Sequence, residues 1–346
     1  MSGRVTIKDI ASSLGVSVST VGRALSGQDR ISARTRRQIL DEADRLGYVA
    51  NSAARVMRAG HSNLIGLVIP EIENDANAAI ARCVAESCAA RGYQMVLFIS
   101  SDDRDRELAN IRALAEMRCA GAIVTLGPSP HRETIRLLSS MPVVQIMRHT
   151  SKLISDSITM DDRNGIAQAV RHLAELGHKR IGFVGGSDKL STGVNRIVGF
   201  DAGLVGEGLV RDDALVITGP VRASFARKAT EQLLNSENPP TAIVAAAVRL
   251  TIGVLETVNK FGLKVPDDIS IIGYTDPLWL RGWGPGITTI SIPVHEAGIA
   301  AASLLIQRIQ DKGKKRAVAS VYTPNLIVRN STTVPRPHDR FLNRLG

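Results

Sequence analysis

Residues 15–25 read Gly-Val-Ser-Val-Ser-Thr-Val-Gly-Arg-Ala-Leu, GVSVSTVGRAL. Val21 and Leu25 stand four apart and share an apolar side with Val16 and Ala24. Val18, Ser19, Gly22 and Arg23 are left on the opposite side. The stretch therefore reads as a short helix with one half in a core and one half open. Gly22 costs such a helix about 1 kcal/mol relative to alanine.

Upstream, Thr6 precedes Ile7, Ile10, Ala11 and Leu14, which are spaced for one helical face. Thr6 is placed to cap that helix, and Asp9 suits the positive end of its dipole. Gly15 stops it, and only Val16 separates this stop from the next cap, Ser17. So brief a break between two helices is the mark of a helix-turn-helix. Downstream, Ser32 caps a third helix with Ile39, Ala43 and Leu46 inward and Arg34, Arg36 and Arg37 available to phosphates, and Gly47 ends it.

The charge distribution agrees. The chain of 346 residues carries a net charge of +10. Residues 1–60 hold 10 Lys and Arg against 5 Asp and Glu, so half the excess lies in about a sixth of the chain. A basic N-terminal segment built this way suits a polyanion. An arginine near small and apolar residues on an open helix face suits base edges in a major groove.

Residues 51–60, NSAARVMRAG, have helical composition, a cap in Asn51 or Ser52 and a stop at Gly60. The segment is shorter than the roughly 12–15 residues at which an isolated helix becomes even marginal, so it is expected to need support to form. The order of motifs VTIKDIA, GVSVSTVGRAL, ISARTR, LGY and this Ala-rich segment resembles the headpiece and hinge of the LacI/GalR family of bacterial repressors. The resemblance implies that Val18, Ser19 and Arg23 read base edges, that Thr6, Ser17, Thr20 and Asn51 contact DNA mainly at phosphates, and that the hinge, with Ala54 and Met57, folds on DNA in the minor groove. Gly22, Ala50 and Met57 depart from the family's usual Ser, Pro and Leu. Methionine is a usable apolar wedge between base steps.

From Leu64 the pattern changes to short apolar runs alternating with helical ones. Candidate strands are 65–70, 95–100, 120–126 and 143–147, then 181–186, 216–219, 242–247 and 269–274, with helices such as 80–91 and 164–176 between them. Continuous apolar strands alternating with helices indicate parallel sheets covered on both faces. Two sets indicate two lobes of doubly wound α/β type, with ligands at the carboxyl ends of the strands. The fold expected is thus a small all-α helix-turn-helix headpiece followed by an α/β two-lobed core like that of periplasmic binding proteins. The segments LGHKRIGFVGG, NRIVGFDAGL, VPDDISIIGYTDP, PGITTISIP and LIVRNST resemble the family's effector-binding core, which implies three crossings of the chain between lobes. The boundaries expected are 1–50 headpiece (motif about 7–26), 51–63 hinge, 64–334 core and 335–346 basic tail.

The same resemblance places Arg196, in Arg-x-x-Gly, and Asp276 in an effector site, with Arg148 and Asp161 at cleft-facing positions. His178 reads as structural. A guanidinium fork grips hydroxyls or carboxylates equally well. Usual hydroxyl-binding groups are replaced by Met147, Ala247 and Val248, and first-lobe aromatics by Ala76 and Asn77, while aromatic residues total 3%. An anionic effector, such as a sugar acid or sugar phosphate, is therefore expected over a neutral sugar.

Other classes fit less well. No G-x-S-x-G, H-E-x-x-H or paired-cysteine metal spacing points to an enzyme, and no G-x-G-x-x-G or P-loop points to a nucleotide, so no cofactor or metal is expected. A transport-type binding protein leaves residues 1–60 without a purpose, and an architectural DNA protein leaves the cleft without one. Cys83, Cys88 and Cys119 read as reduced, part-buried thiols of a cytosolic protein. No apolar run approaches the ~18 residues of a membrane span. The partners expected are a pseudopalindromic double-stranded operator, a small-molecule effector and a second copy of the chain in a homodimer. The tail lacks the leucine heptads of a coiled coil. The cluster KGKKR at 312–316 reads as a solvated loop.

Overall fold

The computed structural model describes residues 5–25, 31–48, 62–311 and 316–336. Asn51, Ala54, Met57, the rest of the expected hinge through 61, most of the 312–316 cluster and most of the tail lie outside the described residues. The chain divides into two compact units, Met1–Ser62 and Asn63–Gly346.

The first unit holds α1 (Ile7–Leu14), α2 (Val18–Leu25) and α3 (Ala33–Arg45). Ile10, Ala11, Val21, Ala24, Ile39 and Ala43 bury one face of each helix in a common core. The carboxylate of Asp9 accepts the Thr6 backbone N–H at 2.7 Å and its hydroxyl at 2.8 Å, which fixes the start of α1 and holds Asp9 below the usual carboxylate range. Gly15 ends α1 at φ +65°, a left-handed conformation that costs glycine nothing. Ser17 Oγ then accepts from Thr20 N at 3.1 Å and starts α2. Glu42 receives Ser13 from α1 and both arms of Arg45, and these bonds lower its pKa to about 2.

The second unit contains two six-stranded sheets. The first runs in the order β11-β5-β4-β3-β1-β2, all parallel: β1 (Leu64–Ile69), β2 (Gln94–Ile99), β3 (Gly121–Val124), β4 (Val143–Ile146), β5 (Asp156–Met160) and β11 (Ala319–Tyr322). The second runs in the order β12-β10-β9-β8-β6-β7: β6 (Ile181–Gly186), β7 (Val216–Gly219), β8 (Ala242–Ala245), β9 (Ser270–Tyr274), β10 (Thr288–Ser291) and β12 (Asn325–Ile327), with only β12 antiparallel. In each sheet the strand order reverses beside the first strand, β1 or β6, which creates a crevice at the carboxyl ends.

The first sheet is covered by α4 (Asp75–Ala89), α5 (Arg104–Glu116), α6 (Arg132–Leu138) and α12 (Val294–Gln310). The second carries α7 (Asp162–Glu175), α8 (Ser191–Gly206), α9 (Ala223–Leu234), α10 (Val248–Lys260) and the short α11 (Leu278–Gly282). One core runs through both lobes, from Ile65, Ile80 and Leu305 to Phe183, Phe200 and Tyr274. The chain crosses between lobes after β5, after β10 and between β11 and β12, three times in all.

The eight expected strands are present: β6 and β7 have the expected bounds, β1 and β2 start and end one residue earlier, and β3, β4, β8 and β9 are shorter. β4 stops at Ile146 because Met147 turns to φ +64°, and β8 stops at Ala245 because Ala247 already caps α10. α4 starts at Asp75, five residues before the apolar pattern begins at Ile80, because the Asn74 side chain accepts from Ala76 N. The polar strands β5 and β10 and the edge strands β11 and β12 add to the expected set.

Candidate functional site

Two surfaces carry chemistry, one in each unit. On α2, Val21 and Ala24 are buried while Val18, Ser19 and Arg23 are exposed. Ser17, Ser19 and Thr20 form a hydroxyl cluster at the start of the helix, with Ser17 Oγ 2.8 Å from each of the other two. Arg23 Nε donates to the Ser19 carbonyl at 3.2 Å, which lays the guanidinium stem along the helix surface. Arg34 and Arg37 are exposed on the first turns of α3. This face presents hydroxyl groups, one apolar side chain and cations, the set that contacts phosphates and groove edges.

The second surface is a cavity of about 630 Å³ between the lobes, within the range of small-molecule sites. Its wall is made of the loops that leave β1, β2, β3 and β4 on one side and β6, β7, β8 and β9 on the other. Ser101, Asp102, Met147 and Thr275, all on this wall, have φ between +54° and +68°. Non-glycine residues held there store about 1–3 kcal/mol each and concentrate at ligand sites.

Arg196 lies at the floor, 7% exposed. Its Nε donates to Asp162 Oδ1 at 3.0 Å, its Nη1 donates to the Ala246 carbonyl at 2.7 Å, and its carbon Cζ sits 3.8 Å from the centre of the Tyr274 ring. The Tyr274 hydroxyl also donates to Asp162 Oδ1. Burial works against the arginine's charge, but Asp162 outweighs it and the pKa is raised. Burial also pushes the Tyr274 phenol well up, and Asp162 adds to this, so it stays a donor. The sequence builds this triad through α8: Arg196, Gly199 and Gly203 fall on one helical face. A Cβ on Gly199 would lie 2.4 Å from the Arg163 carbonyl oxygen. Only glycine lets α8 approach α7 closely enough for Arg196 to reach its first residue.

Across the cavity, Arg148 forms a fork with Asp102, at 2.5 Å and 3.2 Å, and reaches toward the Leu126 carbonyl at 3.4 Å. Glu71, after β1, faces Arg249 of α10 at 3.8 Å. Burial raises the Glu71 pKa, Arg249 lowers it, and Glu73 and Asp102 raise it again.

Residues 6–51 match the model of bacterial regulatory proteins of the lacI family, and residues 170–332 match that of the periplasmic binding protein-like domain. The chain is 31% identical over 332 residues to the HTH-type transcriptional repressor PurR of Pectobacterium atrosepticum, covering 94% of this chain and 96% of the relative. The chain belongs to the LacI family. The HTH-type transcriptional regulator DegA of Bacillus subtilis is 29% identical over 335 residues, covering 95% of this chain and 98% of that one. The fold matches that of a lac repressor dimer bound to operator and an anti-inducer, with a TM-score of 0.83 at 23% identity over 96% of this chain and 100% of that one. Like these LacI-family relatives, the protein is a DNA-binding transcriptional regulator and not an enzyme.

Within this LacI-family framework, the structure brings Arg148 and Arg196 together on the cavity wall. Asp161 and Asp276, expected in the same site, are not among the lining residues. Asp161 caps α7 instead, accepting from Asn164 N at 3.0 Å, and its neighbour Asp162 turns inward to Arg196. Asp276 binds Arg329 at 2.7 Å, Arg281 at 3.1 Å and the Thr289 hydroxyl at 2.8 Å, so it ties β9, β10 and the C-terminal segment. Burial works against its charge, yet Arg329 and Thr289 hold its pKa below the ordinary value. Glu71, Asp102, Arg222, Arg249 and Thr275 also line the cavity, with Asp162 behind it, and none of them stands in a motif or spacing that marks it in the sequence. The acid pair Asp161-Asp162 was the one available signal, because a cap uses the first carboxylate and frees the second. The three cysteines are free and buried. Among the described residues no group of three or more His, Cys, Asp or Glu side chains is placed to hold a metal, and no helix is long and apolar enough to cross a membrane.

Proposed function

We propose that the protein is a ligand-gated repressor: residues 1–50 read a pseudopalindromic operator as a homodimer, residues 51–63 act as the hinge, and the core, 64–334, binds a small effector between its lobes. The observation that carries this reading is the pairing of an open, cation-bearing α2 with a cavity at the carboxyl ends of two sheets. Val18, Ser19 and Arg23 set sequence choice, with each good bidentate contact worth about 1–3 kcal/mol. Thr6, Ser17, Thr20 and Asn51 fix register on phosphates, and Ala54 and Met57 enter the minor groove. Ser17 Oγ accepts from Thr20 N, which leaves its O–H as a donor to a phosphate oxygen. Arg148 and Arg196 contribute to the effector site, whereas Asp161 and Asp276 act as its scaffold.

Ligand binding changes the angle between lobes and hence the geometry offered to the hinges. A coupling of about 1–3 kcal/mol is enough to change operator occupancy several-fold or more. The protein works in the cytoplasm, bound to the nucleoid when it occupies its sites. The test is selection of DNA from a random pool by the full chain, followed by binding measurements with residues 62–346 alone. The reading requires an enriched, two-fold symmetric site that the truncated chain does not bind. Equal binding by both would sink it. Repeating the measurement with sugars, sugar acids and sugar phosphates reads the sign of the coupling.

A further inference from the structure

The two walls of the cavity differ in kind. The first lobe contributes the carboxylates Glu71, Glu73 and Asp102, and its one cation, Arg148, is taken by Asp102. The second lobe contributes Arg196, Arg222 and Arg249 and no carboxylate on the lining. Asp162 behind the wall neutralises Arg196. Arg222 has no side-chain partner among the described residues, and Arg249 is met only by Glu71 at 3.8 Å, with its Nε buried and lacking an acceptor.

The helices of the second lobe reinforce this. The N-cap residues just before α8, α9 and α10 are Leu190, Arg222 and Ala247, all of which line the cavity. None of the three has a side-chain cap or an acidic residue in its first turn. In contrast, α4, α5 and α7 are capped by Asn74, Asp103 and Asp161 and carry Asp in the first turn. Uncapped N-termini direct N–H groups and the positive end of the helix dipole outward. Independently, Thr275 is 8% exposed and lines the same cavity, and its buried hydroxyl has no hydrogen-bond partner among the described residues.

We infer that the effector carries an oxyanion, a carboxylate or a phosphate, and that this group docks on the second-lobe wall at Arg222, Arg249 and the starts of α8, α9 and α10, displacing Glu71 from Arg249. The inference rests on the ligand-gated reading and specifies its ligand. The fork of a guanidinium matches either oxyanion, and charge-assisted bonds of this kind are about twice as strong as neutral ones. Glu71 is an internal competitor: it holds Arg249 until a better acceptor arrives. The ligand's uncharged part, facing Glu73, Asn77 and Ile99, is left for hydroxyl and apolar contacts.

The experiment uses the full chain and inorganic phosphate as the probe, against chloride at equal ionic strength, read by thermal shift and calorimetric titration. Phosphate is expected to stabilise the wild type, and R222Q/R249Q is expected to bind it about tenfold more weakly or not at all. E71Q removes the competitor and is expected to bind phosphate more tightly, a gain that misfolding cannot imitate. Gluconate is expected to bind in preference to glucose. A wild type indifferent to phosphate, or one whose affinity R222Q/R249Q and E71Q leave unchanged, overturns the inference. A neutral sugar that switches DNA binding equally well overturns the oxyanion and leaves the gating standing. Phosphate binding with the expected variant pattern, but DNA occupancy indifferent to every ligand, overturns the gating instead.

Discussion

Arg196 and Asp162 meet at 3.0 Å, nearly sealed from solvent, so the guanidinium beneath the cavity is already engaged before any ligand arrives. The pair joins the first residue of α7, which follows β5, to the second turn of α8, which follows β6, and Tyr274 closes it from β9. It therefore sets the shape of the second-lobe floor as well as its charge.

Asp162→Ala removes the counter-ion and leaves a buried cation, which is expected to cost about 3–5 kcal/mol. Tyr274→Phe removes one donor and keeps the ion pair, at an expected cost of about 1 kcal/mol. Urea unfolding of both variants checks the order. Equal losses would show that the tyrosine bond, not the ion pair, holds the floor.

Gly199→Ala drives a methyl group to 2.4 Å from the Arg163 carbonyl oxygen, a backbone atom without a flexible end to swing away. α8 must withdraw from α7, at about 1–3 kcal/mol, and Arg196 withdraws with it. The expected result is a lower melting temperature together with weaker effector binding. Gly206→Ala, on the same helix with open space around it, serves as the control and should leave both unchanged.

Arg23→Ala is expected to abolish operator preference while weak, salt-sensitive binding to arbitrary DNA persists. Its side chain is exposed, so melting should not move. Competition between selected and scrambled duplexes measures this, and an unchanged preference would refute the role of Arg23. Gly22→Ser should shift the preferred sequence and leave overall affinity in place.

His178 supplies a pH dependence. It is 2% exposed, with Nε2 donating to the Thr333 carbonyl at 2.9 Å and Nδ1 accepting from the Thr241 hydroxyl at 2.8 Å. Burial holds its pKa below 6.5, more than the Thr333 carbonyl raises it. The unfolded chain thus takes up the proton first as pH falls, and stability present above about 6.5 is lost progressively below it. Glu71 and Glu107, both raised by burial, act in the opposite direction. The informative quantity is therefore the difference between wild type and His178→Gln across pH 5–8, which should shrink toward acid.

The all-α unit was almost fully legible, because caps and stops at Thr6, Gly15, Ser17 and Ser32 fall beside strict apolar spacing. So were the strands that are apolar on both faces. β5, reading DSITM, and β10, reading TTIS, escaped because buried polar residues there are satisfied by tertiary partners: Asp156 by Arg308 at 2.7 Å, and Thr289 by Asp276. Of the charged groups that line the cavity, only Arg148 and Arg196 were legible. Its other polar groups sit on loops that leave strand ends, and loops have no period from which a facing direction can be read. Arg249 is the sharpest case: the sequence showed Ala247-Val248 as lost hydroxyl-binding groups, while the next residue supplies the cation.

The three crossings between lobes also bear on how the chain is made. The first lobe is begun at β1, yet α12 and β11, which cover and edge its sheet, follow β10. The second lobe needs only β12 after that point. During synthesis from the N-terminus the lobe started first therefore waits until almost the end of the chain, its β3–β5 face lacking Ala301, Leu305 and their neighbours on α12 until then. A chain ending at Ser291 has every strand of the second sheet but β12, beside a first lobe that still lacks α12 and β11 and leaves apolar surface uncovered.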